Sequence, residues 1–180
     1  AALDHERSVR HEELVLVCDI GGGTSDFSLV RVGPHRAARP ERRDDILANH
    51  GVHVAGTDFD RHVELATILP LLGYRSLGPP LRRGDAPREV PSSIYFDLAT
   101  WHLINTAYNP KRVTEWRGMK DWFGDAAHHR RLMTVLEERL GHALAAAAEA
   151  AKIGVAQQGH AVIDLAEVQA GLTATLNEAR

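Results

Sequence analysis

The chain has 180 residues, of which 44% are apolar, and its 21 basic and 24 acidic side chains give a formal net charge of −3. This length and apolar fraction suit one domain with a substantial core, and the small net charge argues against nucleic acid or an anionic membrane as a partner. The single cysteine excludes an internal disulfide framework. Because no apolar run approaches the roughly 20 residues that span a bilayer, we expect a cytoplasmic protein without a membrane partner.

Three strands are predicted in the first third of the chain. Apolar, strand-like segments lie at 13–19 and 24–32, and a third strand follows at 42–54. Three consecutive glycines, Gly21 to Gly23, separate the first two strands, so we expect an antiparallel meander with the glycines at one end. Cys18 falls in the first strand, where a buried and unreactive thiol is expected.

A helix is predicted after the meander, opening at Gly56 with Thr57 or Asp58 as its N-cap and ending before Gly73. The side chains expected on its apolar face are Phe59, Val63, Ala66 and Leu69. The stretch at 73–92 is rich in glycine, proline and arginine, which predicts a surface loop with weak internal order.

The second half of the chain has a helical pattern. Apolar residues spaced by three and four predict helices from residue 92 onward, including one long helix at 126–157, then a strand at 161–165 and a terminal helix. The terminal helix is indicated by Leu165, Val168, Leu172 and Leu176. The aromatic side chains expected in the core are Trp101, Trp116, Trp122 and Phe123. The expected organisation of this 180-residue fragment is a meander and first helix at 1–72, a loop at 73–92, a helical subdomain at 93–157, and a strand with a terminal helix at 158–180.

The residues around the glycine triplet are typical of a phosphate-binding hairpin. Three glycines leave the turn without Cβ atoms, so its N–H groups can face a polyphosphate closely and its φ angles can take values that other residues resist. Asp19 precedes the glycines and is placed to reach a bound Mg²⁺ or its waters. No Gly-Lys-Ser/Thr follows, and the glycines lead into a strand rather than a helix, so the pattern is not a Walker loop.

Three motifs follow one another along the chain: Asp19 to Asp26, Ala55 to Asp60, and Ala148 to Lys152. In this order they resemble landmarks in the second lobe of the ATPase domain of DnaK-type, 70-kDa heat-shock chaperones. The segments Arg31 to Pro34 and Leu69 to Gly73 are most similar to a short bacterial branch of that family, which lacks the peptide-binding domain. The resemblance implies an α/β fold, an actin-like ATPase (ribonuclease H-like) lobe with an antiparallel β-meander followed by helices, one of them long.

The resemblance also implies ATP or ADP, with Mg²⁺, as cofactors. The nucleotide-binding residues that it implies are Gly21, Gly22, Gly23, Thr24, Gly56, Thr57, Glu149 and Lys152. The hairpin residues would cradle the β- and γ-phosphates, the helix opening at Gly56 would approach phosphate or ribose, and Glu149 with Lys152 would bond the ribose hydroxyls. The implied catalytic residues are Asp19, Thr24 and Asp26, with Asp19 beside the metal. From spacing alone, a solvated i, i+3 ion pair between Glu149 and Lys152 is an equal alternative.

The chain departs from the family in several respects, among them Ala55 and Thr57, where the family usually has a glycine and an acid, and the lack of a lysine that could serve as its catalytic base. Ile153 and Ala156 stand where the family has an arginine that stacks on adenine and a serine that bonds it. No Asp-x-Gly-Thr phosphate loop precedes residue 13, and no terminal Gly-Gly adenosine loop is present. Because this superfamily holds its nucleotide between two lobes, we expect one lobe of a chaperone, without ATPase activity alone. Its expected partners are lobe I of the same protein and a nucleotide-exchange factor or co-chaperone.

Two other functions stay open at the level of sequence. A lobe of a sugar-kinase-like enzyme from the same superfamily would need an aspartate as base, and none is assignable. A partner-interaction module would use the helical part at 92–157, where the alanine-rich face Ala143 to Ala151 allows close helix packing. The basic stretch His35 to Arg43 is interrupted by Glu41, so we expect a solvated loop there rather than a nucleic-acid contact.

Overall fold

The computed structural model describes residues 2–178 and shows a mixed α/β fold in which antiparallel strands are followed by helices. At this level the predicted fold class is confirmed. The chain forms two compact units, one extending to Asp58 and the other beginning at Phe59. Residues 1, 179 and 180, which lie at the ends of the predicted subdivisions, are outside the described residues.

The first unit contains a short helix and a three-stranded antiparallel sheet in the order β1–β2–β3. Its elements are α1 (Ala2–Glu6), β1 (Glu13–Ile20), β2 (Ser25–Val32), β3 (Ile46–Val52) and the first residues of α2 (Gly56–Val63). The predicted meander is confirmed, with the glycine triplet between β1 and β2. The third strand begins later than the sequence indicates because Arg43–Asp45 forms a 3-10 turn in front of it.

One face of β1 is exposed. Leu16, Cys18 and Ile20 alternate along the strand with the half-buried Val15 and Val17, so they share the uncovered face of the sheet. The prediction of a buried thiol at Cys18 is therefore wrong. The apolar sequence around Cys18 indicated a strand correctly, but it could not indicate which of the two faces is covered.

A network of ion pairs ties the ends of the first unit together. Arg42 bridges two acids, with its Nη1 at 2.7 Å from Glu6 Oε2 and its Nε at 2.7 Å from Asp45 Oδ2. Arg36 donates to Asp45 as well, and the N–H of Gly33 donates to Glu6. These donors, Arg42 foremost, hold the pKa of both carboxyl groups below their ordinary values. The sheet is thus linked to α1 by charge-assisted hydrogen bonds.

The second unit combines helices with two small hairpins. Its elements are the rest of α2, β4 (Leu77–Gly78), β5 (Arg88–Glu89), α3 (Ser93–Leu98), α4 (Ile104–Ala107), α5 (Pro110–Gly118), α6 (Ala126–Glu137), α7 (Gly141–Gln158), β6 (His160–Asp164) and β7 (Thr173–Asn177). Fully buried side chains of the core include Ile68, Leu72, Tyr95, Leu132 and Leu136. Within residues 2–178, the helices are too short or too polar to cross a bilayer.

The prediction of the apolar face of the first helix is partly wrong. Val63 and Leu69 are buried as expected, but Phe59 is 51% exposed and Ala66 is also exposed. Phe59 lies within α2, before the π-helical segment Glu64–Ile68. Ala66 lies inside that segment, whose wider turn departs from the 3.6-residue spacing used to predict the apolar face. The π-helical turn therefore accounts for the exposure of Ala66 and not for that of Phe59.

The predicted loop at 73–92 has more internal order than its composition indicates. β4 and β5 pair within it as an antiparallel ladder. The guanidinium of Arg88 lies 3.9 Å from the ring centroid of Trp122, and its Nη2 donates to the carbonyl of Asp121 at 3.0 Å. These contacts fix the hairpin on the helical part of the same unit, which a local pattern of glycine and proline cannot reveal.

The predicted long helix is two helices, α6 and α7, because the chain breaks at Arg139. Arg139 has a φ of +56°, and the N–H of Leu140 donates to the carbonyl of Val135, which closes the end of α6.

The prediction that four aromatic side chains lie in the core is correct only in part. Trp116 and Phe123 are buried as expected and Trp122 is partly buried, whereas Trp101 is 63% exposed and contacts His142 with the two rings tilted by 52°.

The predicted terminal helix is wrong. Residues 173–177 form β7, which pairs antiparallel with β6. The chain reverses between the strands through Gly171, whose φ is +75°, and the N–H of Leu165 donates to the carbonyl of Leu172. The apolar spacing that looked helical arises because Leu165 and Leu172 both face the core across this turn.

Candidate functional site

The tip of the β1–β2 hairpin has most of its carbonyl groups hydrogen-bonded within the first unit. The N–H of Gly21 donates to the carbonyl of Thr24 at 2.9 Å. The N–H groups of Gly56 and Thr57 donate to the carbonyls of Gly21 and Gly22, at 3.1 and 2.9 Å. The Thr57 hydroxyl adds a second donor to the Gly22 carbonyl at 2.6 Å. The carbonyl oxygens of Gly21, Gly22 and Thr24, three of the four in the tip, are thus hydrogen-bonded inside the unit.

The remaining N–H groups of the tip differ from these in their hydrogen bonding. Within residues 2–178, the N–H groups of Gly22, Gly23 and Thr24 make no hydrogen bond to a protein acceptor. All three residues are exposed. Successive backbone N–H groups of this kind form a concave donor surface that suits an anion such as phosphate.

The glycine triplet is not required by the backbone conformation. None of the three has a positive φ, so the expectation that these glycines adopt angles resisted by other residues is wrong. Nor is there internal crowding. A Cβ on Gly21 would meet nothing closer than the Thr24 carbonyl oxygen at 3.5 Å, and a Cβ on Gly23 would have no protein atom within 4 Å. What the triplet provides is an open surface in front of the donors.

Two carboxylates stand beside the tip on neighbouring strands. Asp19 of β1 lies directly opposite Asp26 of β2, so their side chains share one face of the sheet. Gly51 of β3 lies opposite Asp26, and a Cβ there would come within 2.6 Å of Asp26 Oδ1. The absence of a side chain at Gly51 therefore leaves room for the Asp26 carboxylate at the glycine end of the sheet.

The predicted first residue of α2 is correct, but the predicted N-cap is not. The helix opens at Gly56 as expected. Neither Thr57 nor Asp58 is its N-cap, because both lie inside the first turn. The Asp58 carboxylate accepts instead from the N–H of Ala55 at 3.0 Å, as the acid of a capping box does. Thr57 uses its hydroxyl to hold the glycine hairpin.

Glu149 and Lys152 lie on α7 in the second unit. Glu149 is exposed, and the ammonium of Lys152 lies 2.6 Å from Asp60 Oδ1. Lys152 thus has a carboxylate from the α2 segment as a partner, which sequence reasoning did not identify. A lysine ammonium has three donors. The ribose contact that the resemblance implies for Glu149 and Lys152 stays a prediction.

Sequence analysis also missed Glu64, which is 2% exposed and belongs to the π-helical segment of the second unit. Within the described residues its Oε2 has no hydrogen-bond partner. Burial, helped by the negative charge of Asp60, raises the pKa of Glu64 to about 8. The only available signal was its position four residues after Asp60, which an amphipathic pattern assigns to the polar face.

No protein-family model matches the chain. The chemistry of the hairpin can nevertheless be stated from its residues: three exposed N–H donors without a protein acceptor in the described residues, and two carboxylates on adjacent strands. Within residues 2–178 no group of three or more His, Cys, Asp or Glu side chains is placed to hold a metal ion. Asp19 and Asp26 suit a site of another kind, in which one or two carboxylates bind Mg²⁺ together with substrate phosphates.

Proposed function

We propose that the β1–β2 hairpin binds the phosphates of ATP or ADP, with Mg²⁺ held beside Asp19, as the second phosphate-binding element of a heat-shock-type chaperone ATPase. The observation that carries the proposal is the arrangement of the tip. The carbonyls of Gly21, Gly22 and Thr24 are hydrogen-bonded within the unit, while the exposed N–H groups of Gly22, Gly23 and Thr24 have no protein acceptor in the described part of the chain. Such a surface favours an anion.

The carboxylates support the same assignment. Two like charges directly opposite each other on a sheet destabilise it, unless a cation lies between them. Mg²⁺ held beside Asp19 would relieve this repulsion and would offset the negative charge of the nucleotide. Asp19 would contact the metal or its water shell, and Asp26 would order a water close by.

The proposed role is binding rather than turnover. Phosphoryl transfer needs the attacking water and the phosphate to be aligned and screened from bulk solvent, which requires groups on both sides of the nucleotide. The hairpin supplies one side. We therefore expect weak nucleotide binding and no appreciable ATPase activity from this chain alone. In the whole protein, we expect this lobe to act together with lobe I in regulating a partner protein.

The test is a titration of Mg-ADP followed by backbone amide chemical shifts. We expect saturable shifts at Gly22, Gly23 and Thr24, with a Kd near 1 mM, equivalent to about −4 kcal/mol. Gly23→Ala is expected to weaken binding about tenfold because its methyl group covers the donors. The same change is expected to leave the fold intact and to stabilise it by about 0.4–1 kcal/mol, because the φ of Gly23 is compatible with alanine.

The combination of results decides the proposal. Gly118→Ala, at a position with no atom within 4 Å of the added Cβ, is the matched control and is expected to bind as the unmodified chain does. Asp19→Asn is expected to reduce the gain in affinity that Mg²⁺ brings. If Gly23→Ala binds Mg-ADP as well as the control does, or if the shifts occur elsewhere, the hairpin is not a phosphate cradle.

A further inference from the structure

A cavity of about 650 Å³ lies at the N-terminal end of α5, in the second unit. Its polar lining comes from Asn105, Thr106 and Asn109, and its cationic lining from Lys111, Arg112 and Arg139. The cavity is open to solvent, and Asn105, Thr106, Asn109, Lys111 and Arg139 around it are exposed. It is formed wholly by residues outside the glycine hairpin, and the proposed nucleotide role gives it no task.

The charges around this cavity are unbalanced. Arg112 pairs with Asp97 at 2.6 Å. For Lys111 and Arg139, the described part of the chain provides no carboxylate within ion-pairing distance. The two remaining cations therefore face the cavity without a protein counter-charge, and an anion placed there would interact with both.

The helix α5 strengthens the positive field rather than reducing it. Lys111 and Arg112 lie in its first turn, which contains no acidic residue. Because a helix N-terminus carries partial positive charge, cations in the first turn are at the unfavourable end of the dipole. The side chain of Asn109 caps the N–H of Lys111 at 3.0 Å, so the turn is ordered despite this arrangement. A bound anion would remove the electrostatic cost.

Arg139 is held in a conformation that suits other residue types better. Its φ of +56° lies in the left-handed region, at the position after α6 where glycine or asparagine is usual. Its guanidinium lies 6.0 Å from the ring centroid of Tyr108, another residue lining the cavity. Tyr108 Oη in turn accepts from the N–H of Gly141 at 2.8 Å, which joins the α4 side of the cavity to the start of α7.

We propose that this cavity is a second anion site, which binds a small molecule through a phosphate group. Lys111 and Arg139 provide the charge, and Arg112 and the polar lining residues provide further donors. Arginine and lysine are the side chains most used for phosphate, arginine through its planar pair of donors and lysine as a point charge. The phosphate dianion matches the two cations that lack a protein counter-charge.

The test is an amide chemical-shift titration of the full chain with inorganic phosphate, at constant ionic strength maintained with chloride. We expect saturable shifts at Lys111, Arg112 and Arg139 with a Kd in the low millimolar range. Lys111→Gln and Arg139→Asn are each expected to raise this Kd at least fivefold, and the double variant at least twentyfold. Asparagine is chosen at 139 because it tolerates a positive φ and so keeps the turn.

Lys120→Gln removes a cation that does not line the cavity, and it is expected to leave the Kd unchanged. The amides of Gly22, Gly23 and Thr24 report separately on the hairpin in the same spectra, so the two phosphate proposals succeed or fail independently. Equal losses in Lys120→Gln and Lys111→Gln would show nonspecific attraction and would overturn the site. A preference for citrate over phosphate would also overturn it, because the ligand class would then be a carboxylate.

Discussion

Replacing Glu64 with glutamine is expected to raise the free energy of unfolding at pH 8 by about 3 to 5 kcal/mol. Glu64 is 2% exposed, and burial raises its pKa to about 8. The unfolded chain releases this proton near the ordinary glutamate pKa, so the folded state binds more protons between those two values. Stability should therefore fall as pH rises from about 4.5 to about 8 and then level off.

The experiment is urea unfolding of the unmodified chain and of Glu64→Gln at pH 5 and pH 8. The substitution is expected to remove most of the pH-dependent loss, while its effect at pH 5 is small because the native side chain is then neutral. Glu64→Met serves as a second variant without a polar group to satisfy. Glu149→Gln is the control, since Glu149 is exposed. An unchanged pH dependence in Glu64→Gln would contradict the assignment.

Gly78→Ala is expected to destabilise the second unit by about 3 kcal/mol or more. A Cβ on Gly78 would lie 1.8 Å from the carbonyl oxygen of Trp122, which is backbone and cannot rotate away. The contact is reciprocal, because a Cβ on Gly124 would lie 2.4 Å from the carbonyl oxygen of Leu77. Two backbone segments are thus in direct contact, and an added methyl group must separate them.

The measurement is the free energy of unfolding from denaturant titration. Gly118→Ala is the matched control, since its added methyl group meets no atom within 4 Å, and it is expected to be neutral or stabilising by about 0.5–1 kcal/mol. Retention of full stability by Gly78→Ala would mean that the small hairpin β4–β5 does not pack against residues 122–124. The two alanines have the same chemistry, so a difference between them reports the local contact alone.

The sequence was sufficient for the meander because its signals are local. Apolar strand segments, a glycine triplet and the Gly-Pro pair after Val32 each act within a few residues of one another. The strand predicted at 161–165 is confirmed as β6, but its partner β7 was missed because strand pairing is decided between separate segments of the chain. Leu165 and Leu172 fit a helical spacing equally well, and only the turn at Gly171 distinguishes the two structures.

In the candidate site, too, the features with local sequence signals were predicted and those that depend on contacts between segments were not. The glycine triplet and Asp19 identified the hairpin, because three successive glycines between strands are uncommon. The reason given for the glycines was wrong in part, since φ depends on how Gly56 and Thr57 bond the tip, and that contact spans more than thirty positions. Glu64 was missed because a charged residue in an amphipathic pattern is normally assigned to solvent. It lies at the start of the π-helical segment Glu64–Ile68, which the local sequence does not indicate.

The exposure of Cys18 gives the chain a spectroscopic use. It is the only cysteine, so a thiol-reactive fluorophore attaches at one position without any prior substitution. That position immediately precedes Asp19 in β1, on the strand that leads into the glycine tip. A dye at Cys18 can therefore serve as an optical reporter for occupancy of the hairpin, and its labelling rate measures how much of the uncovered sheet face stays accessible when another molecule is added.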